Sequence, residues 1–193
     1  MENTPPADWS QAPDWATIPA PIDDGAANRL FGLRLPSVPL PATDGSAYDL
    51  SALPGLVVVF AYPRTGTPGV NNPDGWDLIP GARGCTPQSC AFRDSHAELK
   101  ALGVDHLFGL STQSTAYQQE AAERLHLPFP ILSDANLEFA GSISLPTFEV
   151  VGMKLLKRCT LIIRDGAVEH VFYPVFPPDQ SAKDVVNWLT STV

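Results

Sequence analysis

A run of seven consecutive apolar residues, from Leu56 to Tyr62, constrains the fold of this chain more than any other feature. The run contains no charged position and is rich in β-branched valine. A strand of this composition is expected at the centre of a sheet, because both of its sides need to be covered. Pro63 ends the strand, since proline has no N–H to offer the sheet. The sequence therefore predicts a central sheet with helices on both faces.

The rest of the chain alternates between predicted strands and helices. We predict a hairpin near the sheet edge over 33–50, strands over 106–110 and 130–132, helices over 88–102, 114–125, 135–141 and 179–189, and a β-hairpin over 160–172. These predictions rest on hydrophobic periodicity and on glycine, proline and Asp-Gly turn residues. The order resembles the thioredoxin-like arrangement, an α/β domain whose mixed central sheet is flanked by helices on both faces.

Composition limits the classes of function. The chain has 193 residues, with 12 basic against 21 acidic side chains and a formal net charge of −9. Binding phosphates needs a basic surface, so this charge argues against nucleic acid and against an anionic membrane as partners. No secretory signal or membrane-spanning stretch is visible. Three cysteines, an odd number, fit poorly with a disulfide scaffold and favour a reducing cytoplasm.

Residues 1–30 form a predicted N-terminal arm, rich in proline and aspartate, before a domain over 31–193. So many prolines disfavour regular structure, and we expect no core within the arm. Trp9 and Trp15 are unusual for a solvated tail, because indole rings are normally buried in part. Two interpretations follow: the arm packs against the domain or a second subunit, or it is a flexible tail.

We predict that Cys85 is a redox nucleophile, because it lies where a glycine-rich loop leads into a helix. Gly81 and Gly84 permit tight turns, and Pro87 is tolerated in a first helical turn. Unpaired N–H groups and the helix dipole favour a negative charge there, so this thiol should ionise readily to the nucleophilic thiolate. The long loop over 63–84 also follows the carboxyl end of the central strand, where open α/β sheets place their sites.

Other familiar site motifs are missing from the sequence. The four histidines are scattered, and the cysteines do not have the spacing of zinc ligands. There is no Cys-x-x-Cys pair and no glycine-rich phosphate loop. We therefore expect neither a metal nor another cofactor.

Several segments resemble the Q-type peroxiredoxins, in the order in which that family has them. GCTPQSCAFRD at 84–94 resembles the active-site segment, where a resolving cysteine follows the peroxidatic cysteine five residues later. FAYP at 60–63 is similar to the strand and proline that precede it. GLSTQS at 109–114 and LPFPILSD at 127–134 resemble the middle of the family, and RCTLI at 158–162 its arginine strand. The resemblance extends from about residue 30 to the C-terminus.

The resemblance implies a thiol peroxidase that reduces hydrogen peroxide and organic hydroperoxides. It makes Cys85 the nucleophile, Cys90 the resolving cysteine and Arg158 the activating cation, with Arg83 as a competitor for the last role. Arginine suits that role because it stays charged and offers several donors. The implied partners are a hydroperoxide and a thiol reductant, which is thioredoxin, glutaredoxin or glutathione, and the chain would be a monomer or homodimer. Cys159, in an apolar strand, is expected to be structural.

The resemblance also implies residues that line the pocket. Pro63 is expected to shield the sulfur from water, and Thr67 to contribute its hydroxyl, with Thr65 and Thr86 as competitors for the pocket threonine. Thr86 and Gln88 are expected to contact the substrate.

One departure concerns the family's spacing P-x-x-x-T-x-x-C. Pro63 and Thr67 keep its first part, but Val70 stands where the cysteine belongs, and Cys85 follows only after an insertion over 71–84. Either the loop bulges out and returns Cys85 to its usual place, or the site is altered. The second case leads to an alternative function, a catalytically inactive thioredoxin-fold binding or scaffold domain.

Cys85 and Cys90 are too far apart on a helix to bond directly. A five-residue separation corresponds to about 7.5 Å of rise and roughly 140° of rotation. A disulfide needs Cα atoms within about 7 Å and facing Cβ atoms. We therefore expect the first turn to unwind after oxidation. The alternative is a one-cysteine mechanism in which Cys90 is a packed core residue.

Overall fold

A computed structural model describes residues 12–192, so the prediction for Trp9 lies outside the described residues. The strands in this range are β1 (Pro39–Pro41), β2 (Ala47–Asp49), β3 (Leu56–Ala61), β4 (Val104–Ser111), β5 (Ile131–Ser133), β6 (Thr147–Val150), β7 (Met153–Leu156), β8 (Cys159–Arg164) and β9 (Ala167–Phe172). The helices are α1 (Cys85–Asp94), α2 (His96–Ala101), α3 (Thr115–Arg124), α4 (Glu138–Ile143) and α5 (Ser181–Ser191). Within residues 12–192 no helix is long and apolar enough to cross a membrane.

The central sheet has five strands in the order β5-β4-β3-β8-β9. Strand β3 lies in the middle, parallel to β4 and antiparallel to β8. All six of its residues are buried, as the apolar run predicts. The mixed sheet places the end of β3 and the start of β8 side by side, because Ala61 pairs with Cys159. The segments that follow β3 and precede β8 therefore meet at one edge of the sheet.

Alternate residues of β3 enter two different hydrophobic clusters, one on each face of the sheet. Val58 and Phe60 pack with Phe92 of α1 and with residues of α2 and α5. Val57 and Val59 face the other side, where α4 and the segment over 27–50 cover them. Burial of both faces explains why the strand contains no polar position.

Two predicted helices differ from the structure by more than two residues at one end. The helix predicted over 88–102 is two helices, α1 and α2, which meet at Ser95. Ser95 ends α1 with backbone angles of −91° and 0°, outside the helical range. The helix predicted over 135–141 begins only at Glu138, because the Asp134 carboxylate accepts hydrogen bonds from the N–H groups of Phe139 and Ala140 and so fixes its first turn.

The hairpins also depart in part from the sequence predictions. β8 and β9 pair around the turn at Asp165 and Gly166, as predicted. β1 and β2 form a two-stranded sheet of their own beside the edge strand β5, as predicted, and an isolated bridge joins Ala42 to Leu132. The hairpin of β6 and β7 was not predicted, because its turn is formed by Val151 and Gly152, both with positive φ, and valine is a poor turn signal.

Candidate active site

Cys85 is the first residue of α1, and its side chain is 4% exposed. Gly84 precedes the helix in the left-handed conformation, with φ 104°. The loop before it is equally constrained, since Gly81 has φ 78°. Glycine is the residue that adopts such angles at little cost. The local sequence thus directs the backbone into a helix whose first residue carries the thiol.

The N-terminal arm packs directly on this turn. A Cβ atom on Gly84 would lie 2.6 Å from Cη2 of Trp15 and 2.8 Å from Cγ of Pro178. The Trp15 indole N–H donates to Asp179 over 2.9 Å, and its ring makes an edge contact with Phe176 at a centroid distance of 5.8 Å. Trp15 therefore lies against the domain, the first of the two arrangements expected for the arm.

Gly84→Ala should destabilise the protein for two reasons. Alanine is strained at a positive φ, and its Cβ would clash with the rings of Trp15 and Pro178. We expect a loss of roughly 1–3 kcal/mol in the free energy of unfolding, measured by urea denaturation. Gly103→Ala is the matched control, since Gly103 has φ 91° but nothing within 4 Å of its virtual Cβ. A loss at Gly84 no larger than the loss at Gly103 would refute the role of the packing.

Arg158 precedes β8 and lies beside the thiol, with 3% of its surface exposed. Its Nη2 is 3.3 Å from Cys85 Sγ. The same nitrogen lies 3.2, 3.3 and 3.2 Å from the carbonyl oxygens of Gly81, Ala82 and Arg83. The sulfur is also 3.7 Å from the Ala82 carbonyl. One guanidinium thus holds both the thiol and the loop that leads to it.

The charge of Arg158 has no acidic partner within the described range: none of the ion pairs there includes it. Its hydrogen bonds go to neutral oxygens and to sulfur. A buried charge is screened little by solvent, so its field acts on the nearest polarisable group, the sulfur. The geometry therefore places a positive charge directly beside the sulfur. Arg83, the predicted competitor, instead forms an ion pair with Asp77 at 2.8 Å.

Gln88 has a different contact from the predicted one. Its side chain is fully buried; its Oε1 accepts from Nη1 of Arg158, and its Nε2 donates to Ser181 Oγ over 3.1 Å. The Ser181 hydroxyl in turn lies 3.2 Å from Thr160 Oγ1. These bonds use both ends of the amide inside the core, so Gln88 orients Arg158, and its contact with a substrate stays a prediction.

A small recess opens at the thiol, which we call the Cys85 recess. It is lined by Arg64, Gly66, Asn72, Trp76, Ala82, Arg83, Gly84, Cys85 and Thr86. Thr86 is the threonine among these lining residues, whereas Pro63, Thr65 and Thr67 are not part of the lining. Sequence reasoning missed Asn72 and Trp76, because they lie in the insertion and no motif identifies them.

Thr65 and Thr67 are held by α3 instead. The Thr67 hydroxyl donates to the Tyr117 hydroxyl over 2.9 Å, and that hydroxyl donates to the Thr65 carbonyl over 3.2 Å. The Thr65 N–H donates to Gln113 over 2.9 Å. The physical reason is the insertion, which separates Thr67 from Cys85 and removes the fixed spacing on which the prediction of Thr67 rested.

The other two cysteines occupy unlike positions. Cys90 is half-buried on α1, and burial raises the pKa of its thiol, against a smaller opposing effect of the Arg93 charge. Cys159 is fully buried in β8, and burial raises its pKa to about 12. All three cysteines are free, and α1 is continuous from Cys85 through Cys90. A fully buried thiol with so high a pKa is unreactive, which fits a structural role for Cys159.

These features place the chain among the thiol-based redox proteins of thioredoxin-like fold, since a buried cysteine at a helix start faces a buried guanidinium at 3.3 Å. The inactive alternative required a thiol displaced from its arginine, and the distance of 3.3 Å between them is the opposite arrangement.

Comparison with known proteins defines the family more closely. A family model described as Redoxin matches residues 31–189. The chain is 34% identical over 164 residues to "Peroxiredoxin Bcp" of Escherichia coli K12, which covers 80% of this chain and 91% of that protein. It is 29% identical over 161 residues to "Peroxiredoxin Q, chloroplastic" of Oryza sativa subsp. japonica, covering 83% of this chain. The chain spans 66% of the length of that rice relative.

Solved structures agree with the fold. The crystal structure of peroxidoxin BcpB from Mycobacterium tuberculosis superposes with a TM-score of 0.68 at 28% identity, covering 84% of this chain and 97% of that one. Peroxiredoxin Q from Xanthomonas campestris, at 19% identity, shares the fold with a TM-score of 0.64, over 81% of this chain and 96% of that one. The chain belongs to the Redoxin family, and within it to the peroxiredoxins of the Q/Bcp type. The predicted thioredoxin-like fold is confirmed.

Proposed function

We propose that this protein is a thiol-dependent peroxidase that reduces hydroperoxides through Cys85. The observation that carries the proposal is the distance of 3.3 Å between Nη2 of the buried Arg158, which has no acidic partner among residues 12–192, and the sulfur of Cys85. The Q/Bcp relatives support the same reaction. The test is peroxide consumption with dithiothreitol as reductant, compared between the wild-type protein and Cys85→Ser.

The reaction transfers two electrons from sulfur to the peroxide. The Cys85 thiolate attacks one peroxide oxygen, so that an S–O bond forms while the O–O bond breaks. The other oxygen leaves as hydroxide or alkoxide and takes up a proton to become water or an alcohol. Sulfur is thereby oxidised to a sulfenic acid. The step needs an ionised sulfur and positive charge near the oxygen that leaves.

Arg158 supplies that charge in this proposal. Its guanidinium stabilises the thiolate before attack and the leaving oxygen during it, while Gln88 holds it in place from the far side. Thr86, in the wall of the recess, offers a hydroxyl to the peroxide. Pro63 and Thr67 then act indirectly: Pro63 ends the central strand, and Thr67 fixes the loop to Tyr117.

Cys90 is the proposed resolving residue. Its thiol attacks the sulfenic sulfur of Cys85, the hydroxyl leaves with a proton as water, and a disulfide remains. Since α1 is wound through both residues, its first turn must open for the two sulfurs to meet. An external thiol, from thioredoxin, glutaredoxin or glutathione, then returns two electrons and restores both thiols. We place this cycle in a reducing cytoplasm, in a monomer or a homodimer.

Mass analysis of peroxide-treated protein tests the role of Cys90. One equivalent of hydrogen peroxide should give a Cys85–Cys90 disulfide as the main product, with the protein two hydrogens lighter. Cys90→Ser should instead accumulate sulfenic and then sulfinic acid at Cys85, because nothing intercepts the first oxidation product. Cys159→Ala serves as the control and should form the disulfide normally. Sulfinic acid in the wild-type protein without any disulfide would establish the one-cysteine alternative.

A further inference from the structure

The insertion over 71–84 supplies most of the wall around the thiol. Five of the nine residues that line the Cys85 recess belong to it, among them Asn72 and Trp76. Trp76 is 4% exposed and packs in a small cluster with Ala82 and Leu155, at a ring-centroid distance of 6.4 Å from Phe148. The indole is therefore fixed by its neighbours and forms a firm side of the recess.

The Cys85 recess is very small. Its volume is about 10 Å³. A cavity needs about 10–15 Å³ to hold one water molecule. Its lining is also largely polar, since Arg64, Asn72 and Thr86 contribute charged, amide and hydroxyl groups. The hydrogen-bonding groups of a hydroperoxide match this polar lining, whereas an alkyl or aryl substituent finds little apolar surface there.

The apolar space of the protein lies elsewhere. A cleft of about 350 Å³ opens between the N-terminal arm and the loop before Cys85, with Pro21, Ile22, Ile79 and Phe148 in its wall. Arg158 borders this cleft as well, but Cys85 is not among the residues that line it. An organic substituent attached to a peroxide at the sulfur therefore has no direct place in it.

We infer that the Cys85 recess selects hydrogen peroxide and the smallest organic hydroperoxides, and that Trp76 is the residue that sets this preference. The inference rests on the proposed peroxidase function and narrows its substrate class. A bulky hydroperoxide has to displace the Trp76 indole from its cluster, or its O–O bond is poorly aligned with the sulfur. Each of these effects lowers the rate of attack by the thiolate. The insertion thus acts on specificity without supplying the nucleophile.

A size series measured on the wild-type protein tests the preference directly. We expect kcat/KM to fall from hydrogen peroxide through ethyl and tert-butyl to cumene hydroperoxide, with cumene at least about tenfold below hydrogen peroxide. Equal or higher values for cumene hydroperoxide would overturn the inference while leaving the peroxidase function intact. If the protein consumes none of the four, the proposed function itself fails.

Substitution of Trp76 then tests whether this residue sets the preference. Trp76→Ala should raise the ratio of kcat/KM for cumene hydroperoxide to that for hydrogen peroxide by about tenfold, because the wall opens. Trp76→Phe, which keeps an aromatic ring in the cluster, should give a smaller rise and guards against misfolding. Trp188→Ala is the control: this indole stacks on His170, with ring centroids 4.9 Å apart, and does not line the Cys85 recess, so the ratio should not change. An unchanged ratio in a folded Trp76 variant would refute the assignment.

Discussion

Replacing Cys85 by serine should lower kcat/KM for peroxide consumption by roughly 10³-fold or more, because the hydroxyl cannot take over the role of the thiolate. Serine keeps the size of the side chain and the start of α1, so the fold should be retained. The measurement is the loss of hydrogen peroxide over time with dithiothreitol in excess. The expected residual rate equals that of dithiothreitol and peroxide without protein.

The matched control is Cys159→Ala, which also removes a buried sulfur. Cys159 lies in β8 inside the other hydrophobic cluster, and burial holds its pKa at about 12, so it should contribute nothing to turnover. This variant should retain the wild-type rate to within about twofold, since a buried thiol packs like a small apolar group. Turnover by Cys85→Ser at the wild-type rate, or its loss in Cys159→Ala, would contradict the assignment of the nucleophile.

Arg158→Leu should lower kcat/KM by about 10²–10³-fold, the effect of removing a preorganised donor from a charged transition state. The variant loses the cation beside sulfur and leaves the carbonyls of Gly81, Ala82 and Arg83 without their donor. A second measurement isolates the electrostatic part. The alkylation rate of Cys85 by iodoacetamide at neutral pH should fall, because only the thiolate reacts.

Two further variants separate charge from folding. Arg158→Lys keeps the charge but lacks the fork of donors, so its rates should lie between those of the wild type and of Arg158→Leu. Arg164→Leu removes an arginine from the far end of β8, the strand that Arg158 precedes. Arg164 forms an exposed ion pair there with Glu169 at 2.9 Å. Exposed pairs contribute little, so neither turnover nor alkylation should change. Wild-type alkylation in folded Arg158→Leu would exclude the guanidinium as the source of thiolate stabilisation.

The features that could be read from the sequence are those set by local patterns. The strand at 56–62 follows from its composition, and the position of Cys85 at a helix start follows from Gly84 and Pro87, which act over a few residues. Arg158 was found through the family resemblance, and the antiparallel pairing of β3 with β8 explains why it is near the thiol: Ala61 and Cys159 are register partners.

The features that could not be predicted from the sequence depend on the path of the insertion over 71–84. Asn72 and Trp76 line the recess only because the loop over 71–84 folds back toward Cys85, which no periodicity encodes. Thr67 keeps the family spacing from Pro63 but is turned toward Tyr117. Gln88 illustrates the same limit, since its partner Ser181 is 93 residues away in the chain.

The carbonyl oxygens of three successive residues, 81–83, accept hydrogen bonds from the Arg158 guanidinium that also faces the sulfur. The order of this loop and the reactivity of the thiol therefore have a common origin. In the proposed mechanism, a copy of the protein in which the loop has come loose has also lost the position of the charge that activates its cysteine. Nascent or damaged chains should in consequence be slow to oxidise, and reactivity toward peroxide becomes a property of the mature molecule alone.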